Sequence, residues 1–327
     1  MAEKRKLIFD CDTGTDDAVA LAAVLLSGKA DVLGITSVRG NIPVDCVVDN
    51  NLRLTEFLGF DVPVYRGCHR AMTRTLTPGR DSNAIMEVLS KSVGGNELRI
   101  HDLSLPLPET TRRAESENAC SFIVDTLLSS DEPVDIAAVG PLTNLGVALT
   151  MDDRIKEHIG TIYIMGGALS TGNRTPVAEA NFYDDPEAAE IVLTSGCRIL
   201  LNPIEPNLEG ASFGREELLE IGKTGTPAAE FVSRLLLEWI DRCAVIFGSD
   251  SGKCCIHDFA AVAPLIDPET VTESREEICH VDISGGMSDG MLVVDRRTKP
   301  APGESSVELV YHMDERRTHG LLKELLS

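Results

Sequence analysis

Short runs of β-branched and other apolar residues recur along the chain at Leu7–Asp10, Val32–Val38, Val62–Tyr65, Val134–Gly140, Thr161–Gly167 and Cys197–Pro203. Between them lie longer stretches, after Asp17, Val44, Ala119 and Pro186, in which Ala, Leu and Val fall at helical spacing. Strands alternating with helices predict right-handed βαβ units and a mostly parallel sheet covered on both faces. The expected class is therefore α/β, Rossmann-like, with a helix over Ala18–Ser27 directly behind the first strand. Late in the chain Ile278–Ile283 and Met291–Val294 flank a glycine-rich turn, which predicts an antiparallel hairpin appended to the rest. Leu321–Leu326 reads as a closing helix. No Pro/Gly/Ser-rich linker or repeat interrupts the pattern, so one domain over 1–327 is expected.

Composition narrows the function. Lys and Arg number 30 against 52 Asp and Glu, a formal charge of −22. That balance argues against a nucleic-acid partner, whose binders present basic patches. The opening Met-Ala-Glu-Lys-Arg-Lys runs straight into a strand, and no segment has the length and apolarity of a membrane span, so a cytoplasmic protein without a membrane partner is expected. The 9 cysteines include no CxxC pair and read as small buried apolar residues rather than a zinc cluster or disulfide framework.

The chemistry gathers where strands end. Asp12, Asp16 and Asp17 crowd the turn after the first run, at the sheet edge where open α/β proteins place ligands. Such carboxylates repel unless a hard cation or a hydroxyl-rich ligand neutralises them. They also suit a plain helix start, which caps backbone donors with acidic side chains. Gly40-Asn41 follows the second run, Gly140-Pro-Leu-Thr143-Asn144 the fourth and Met165-Gly-Gly the fifth, although ordinary βα loops supply the same residues. Asn173, Glu179 and Asn181 share one loop and can together donate to and accept from several sugar hydroxyls. His257-Asp258 sets an imidazole and a carboxylate before an apolar helix, as either catalytic groups or a cap.

In this order the segments resemble the inosine-uridine-preferring nucleoside hydrolase family, whose signature is close to Asp-Thr-Asp-Pro-Gly-x-Asp-Asp-Ala. Here it reads Asp10-Cys-Asp12-Thr-Gly14-Thr-Asp16-Asp17-Ala18, with threonine in place of proline. The match continues through Asn41, Thr143-Asn144, Met165, Asn173, Glu179, Asn181 and His257-Asp258. The resemblance implies a nucleoside hydrolase fold and hydrolysis of ribonucleosides to ribose and free base, with purine or pyrimidine preference open. It implies Ca2+ held by Asp12, Asp17, the backbone carbonyl of Thr143 and Asp258. Asp16 and Asn181 would bind the vicinal hydroxyls, Asn41 would position the ribose and water, and Asn173 with Glu179 would bind the 5′-hydroxyl near Met165. Asp12 would take a proton from the attacking water and His257 would assist the departing base. Asp10 is expected to support the turn without touching the ion. A homodimer or homotetramer serving nucleoside salvage is also implied.

The match thins between Pro78 and Pro108, where the family's His-Gly-x-x-Gly-Leu stretch is not recognisable and His101 is a poor substitute for its histidine. Trp239 reads as a core residue or a base-stacking ring, and Arg242 as a base contact or a surface ion pair. Two other classes compete. Asp10-x-Asp12 after a strand is similar to the haloacid-dehalogenase-type phosphatases, but Gly14 stands where they need Thr or Val. A non-catalytic ribose or nucleoside sensor would keep Asn173, Glu179 and Asn181 while dispensing with the general base.

Overall fold

The computed structural model describes residues 4–77, 80, 90–248, 250–297 and 305–327. Its strands in chain order are β1 Arg5–Cys11, β2 Ala30–Ser37, β3 Val64–Arg66, β4 Ser90–Val93, β5 Asn96–Arg99, β6 Val134–Ala138, β7 Ile159–Met165, β8 Ile199–Asn202, β9 Ser212–Gly214, β10 Lys253–Cys255, β11 Val271–Val281, β12 Leu292–Val294 and β13 Ser306–Met313. Among the described residues, 9 of these form the central sheet in the order β12-β11-β13-β8-β7-β6-β1-β2-β3. Every neighbouring pair from β13 to β3 runs parallel. The class is α/β, as the alternating pattern predicts.

Strands buried on both faces read as continuous apolar runs, and side chains alternate between the two faces. Leu7, Phe9 and Cys11 of β1 accordingly join one core with helices Thr15–Ser27, Pro227–Phe247 and His257–Ile266. Ile8 joins the opposite core with helices Ala119–Ser129, Thr143–Met151 and Pro186–Leu193.

The late hairpin is not an appendage. Its first strand, β11, is 11 residues long and pairs antiparallel with β13, which in turn lies parallel to β8. The hairpin therefore continues the central sheet to its edge. The sequence pattern had suggested no strand at Ser306–Met313, and that missing strand is what joins the hairpin to the sheet. The closing helix is longer than expected, Glu315–Leu325, because Asp314 caps it by accepting from the Arg317 amide at 3.0 Å.

Topology sets where a ligand can enter. The chain leaves β1 for β2 and β3 on one side, then returns to β6 on the other side of β1. Loops leaving the carboxyl ends of β1 and β6 diverge at this reversal and open a crevice. No helix among the described residues is long and apolar enough to cross a membrane.

Candidate active site

The segment after β1 enters helix Thr15–Ser27 one turn earlier than the pattern suggested, so Asp16 and Asp17 lie inside its first turn. Asp17 is a cap and more: its Oδ1 accepts from the Asp12 amide at 3.1 Å and its Oδ2 from the Gly14 amide at 3.0 Å. Asp16 is different, because its buried Oδ1 has no hydrogen-bond partner. An orphaned buried carboxylate oxygen is costly, and it needs a proton, a cation or a ligand.

Helix His257–Ile266 packs along helix Thr15–Ser27 and delivers the fourth carboxylate. Its side chains make no capping hydrogen bond, so the cap reading of His257-Asp258 is not realised. Asp16, Asp17 and Asp258 each bring one oxygen to within 4.8 Å of the others. Asp12 sits against them, its Oδ2 accepting from the Asn41 amide at 2.5 Å. Gly40 and Gly140 are required here, because a Cβ would fall 2.2 Å and 2.8 Å from the Asp12 carboxylate oxygens.

All four aspartates are buried and none forms an ion pair with an arginine or lysine among the described residues. Burial first, and Asp17 second, push Asp12 well above the usual carboxylate range. Burial together with Asp16, Asp17 and Asp12 does the same to Asp258. Burial raises Asp16 and Asp17 to about 7 each. An all-oxygen cluster so short of positive charge has the chemistry of a hard-cation site.

The surrounding residues support this floor. Asp10 accepts from Thr36 Oγ1 at 2.6 Å and from Asn144 Nδ2 at 2.8 Å, bracing the strand ends from behind. Thr143 heads helix Thr143–Met151 with its hydroxyl donating to Asp185 Oδ2 at 2.6 Å. That hydroxyl is committed away from Asp12, Asp16, Asp17 and Asp258.

Above the floor lies a cavity of about 470 Å³, bordered by Asp16, Asn41, Met165, Asn173, Glu179 and Asn181. Asn181 Nδ2 donates to the carbonyls of Val139 at 2.8 Å and Met165 at 3.0 Å, which leaves its Oδ1 unused by any described donor. Glu179 does a second job, since its carboxylate accepts from the amides of Asn181, Gly167 and Phe182 at 2.8, 3.0 and 3.2 Å. It caps helix Ala180–Asp184 and ties it to the end of β7.

His257 lines the cavity beside Asp258, with Nδ1 3.5 Å from Cys255 Sγ. Burial pushes this imidazole down to about 4. At neutral pH it is an uncharged ring that offers one N–H.

The opposite wall holds residues that sequence reasoning underrated. His101 receives the Thr15 amide on Nδ1 at 3.2 Å, so the neutral ring carries its proton on Nε2. Burial, then Arg174, pushes it down to about 4. Trp239 lies 5.8 Å from His101 between ring centroids and borders the cavity, with its indole N–H buried and unpartnered. Trp239 therefore packs against the core, as its sequence context suggests, and also forms part of the cavity wall. Arg174 also lines the cavity, with a buried Nε that has no partner among the described residues, although in the sequence it reads as one polar residue in a polar loop. Arg242 pairs with Asp102 and Glu238, which decides for the ion pair. Residues 78, 79 and 81–89 of the divergent stretch lie outside the described residues.

A family model described as inosine-uridine preferring nucleoside hydrolase matches residues 7–319. The pyrimidine-specific ribonucleoside hydrolase RihB of Escherichia coli (strain SE11) is 33% identical over 293 residues, covering 90% of this chain and 88% of that relative. The solved purine-preferring ribonucleoside hydrolase from Gardnerella vaginalis superposes with a TM-score of 0.85 at 28% identity over 98% of both chains. The plant nucleoside hydrolase PpNRh1 does so with a TM-score of 0.82 at 25% identity over 99% of both.

Proposed function

Because the chain belongs to the inosine-uridine preferring nucleoside hydrolase family, we propose that the cavity takes a ribonucleoside sugar-down onto a calcium ion held by its buried aspartates. As a family member the protein is a ribonucleoside N-ribohydrolase, releasing free base and ribose. One observation carries the calcium reading: Asp16, Asp17 and Asp258 converge beneath a cavity lined with amides, and no basic side chain is paired to them among the described residues.

Asp12, Asp17, the Thr143 carbonyl and Asp258 would hold the ion. Calcium, when bound, supplies a Lewis acid that makes water easier to deprotonate and grips vicinal hydroxyls. Asp12, fixed by the Asn41 amide, takes the proton of the attacking water. Asp16 and Asn181 accept the sugar hydroxyls, and Asn173 with Glu179 takes the 5′-hydroxyl. Attack opposite the base inverts the anomeric carbon. The carboxylates nearby favour the positive charge that builds on the ribosyl ring. His257 donates its N–H to the departing base as a hydrogen bond.

Family membership sets aside the phosphatase alternative, and the clustered Asp12 carboxylate favours an enzyme over a sensor. A cytoplasmic homodimer or homotetramer in nucleoside salvage completes the proposal, with the family resemblance as its support. The named relatives differ in base, so preference is part of the test. A reducing-sugar assay on inosine, uridine, adenosine, guanosine and cytidine, with and without calcium after metal removal, is expected to show ribose release that depends on calcium. Full activity in rigorously metal-free protein would overturn the calcium assignment.

A further inference from the structure

We propose that Cys68 and Cys120 form an oxidisable dithiol, a modification site that closes reversibly to a disulfide and reports on the sugar site through Asn144. The two cysteines are 52 positions apart in sequence, yet their sulfurs lie 3.7 Å from one another. The backbone holds them there: Arg66 and Asn118 form a parallel bridge, and Asn118 Nδ2 donates to the Arg66 carbonyl at 3.2 Å. Cys68 follows that bridge on one strand, and Cys120 stands in the first turn of helix Ala119–Ser129 on the other.

The pair is polarised. Cys120 is buried at 4% exposure, while Cys68 is partly exposed and can meet a small oxidant. Access decides which cysteine meets the oxidant first, which selects Cys68.

The oxidant is a hydroperoxide, with hydrogen peroxide as the probe. The Cys68 thiolate attacks one peroxide oxygen, the O–O bond breaks, and the departing hydroxide takes a proton to become water, leaving Cys68 as a sulfenic acid. The Cys120 sulfur then attacks the Cys68 sulfur. The S–O bond breaks and a second water leaves with the Cys120 proton. Two thiols lose two electrons in total, and one peroxide becomes two waters.

Closure must be felt at the site. A disulfide bond is about 2.05 Å long, so the sulfurs approach each other by roughly 1.7 Å from their present separation. The Cys68 amide donates to Asn144 Oδ1 at 2.8 Å, and Cys120 Sγ lies 3.9 Å from the same oxygen. Asn144 Nδ2 in turn donates to Asp10 Oδ1 at 2.8 Å and to the Ser37 carbonyl at 3.2 Å. There is no slack beside it, since a Cβ on Gly67 would stand 2.2 Å from Asn144 Oδ1. Asn144 directly follows Thr143, and Asp10 lies near the end of β1, two residues before Asp12.

The test treats the full-length reduced chain with graded hydrogen peroxide, then alkylates it and maps peptides without reductant. The expected result is a Cys68–Cys120 linked peptide with the loss of two hydrogens, reversed by dithiothreitol. Ribose release should fall about tenfold on oxidation and recover on reduction, in line with the cost of small misplacements in a site. C120S should accumulate a dimedone-reactive Cys68, C68S should form no linked peptide, and both should keep reduced-state activity. Two freely alkylatable thiols after oxidation, or a link to another cysteine, would overturn the dithiol. A clean link that leaves turnover unchanged would overturn its coupling to the site. The mapping stands apart from the hydrolase assignment, because it is read whether or not any nucleoside is cleaved.

Discussion

Calcium should stabilise this protein far more at alkaline than at acid pH. Asp16 and Asp17 sit at about 7, against an ordinary 3.8, because burial penalises their charge. In metal-free protein both therefore keep their protons below about pH 7, whereas the unfolded chain has lost them by then. The folded apo state thus binds more protons than the unfolded state between those values, and its stability falls as pH rises through that window. Calcium must displace the Asp17 proton to bind, and its charge beside Asp16 favours loss of that proton as well. Each proton displaced makes binding stronger by about 1.4 kcal/mol per pH unit, hence by about 3 kcal/mol between pH 5 and pH 7. An unfolding entropy of about 0.7 kcal/mol/K for 327 residues converts this to roughly 4 °C in Tm per proton.

Two groups with the opposite sign must be separated from this. His101 and His257, both pushed down to about 4, gain stability as pH rises through the unfolded value near 6.5. They contribute to melts with and without calcium alike, so they largely cancel in the difference. The assay is circular dichroism melting of metal-stripped protein at about pH 5 and about pH 8, with and without saturating calcium. The calcium increment should be larger at the higher pH by at least about 4 to 8 °C, one to two protons' worth from Asp17 and Asp16, to which the more strongly raised Asp12 and Asp258 can only add. An increment equal at both values would refute the reasoning.

Asp12→Asn should keep the fold by circular dichroism yet lose turnover by about a thousandfold, the usual size of a general-base contribution; wild-type kcat in that variant would rule Asp12 out as the base. His257→Ala should reduce kcat on inosine or uridine more than on p-nitrophenyl riboside, whose phenolate needs no help, and equal losses on both would argue against a role at the leaving group. Gly40→Ala should cost about a hundredfold in kcat, because the new methyl meets the Asp12 carboxylate at 2.2 Å. Gly320→Ala, where nothing lies within 4 Å, is its control, and similar kinetics in the two variants would show that the Asp12 position is not so confined.

Local pattern was enough to determine the class of fold and the floor of the site. Period-two and period-3.6 spacings report burial directly, so β1, β2, β6, β7 and β8 appear within one or two residues of the predicted runs. The clustered Asp12, Asp16 and Asp17 are neighbours in sequence and needed only a strand-to-helix turn to become neighbours in space. Packing alone decided the rest. Asp258 reaches them because helix His257–Ile266 lies along helix Thr15–Ser27, a contact across some 240 positions that no spacing encodes. The same holds for His101 against the Thr15 amide, and for the two sulfurs of Cys68 and Cys120. Ser306–Met313 is a further case, because its partners β8 and β11 were needed to show that the late hairpin extends the sheet. Sequence periodicity records which side of an element is dry; which dry sides meet, and what polar groups are trapped between them, is settled by the sum of long-range contacts.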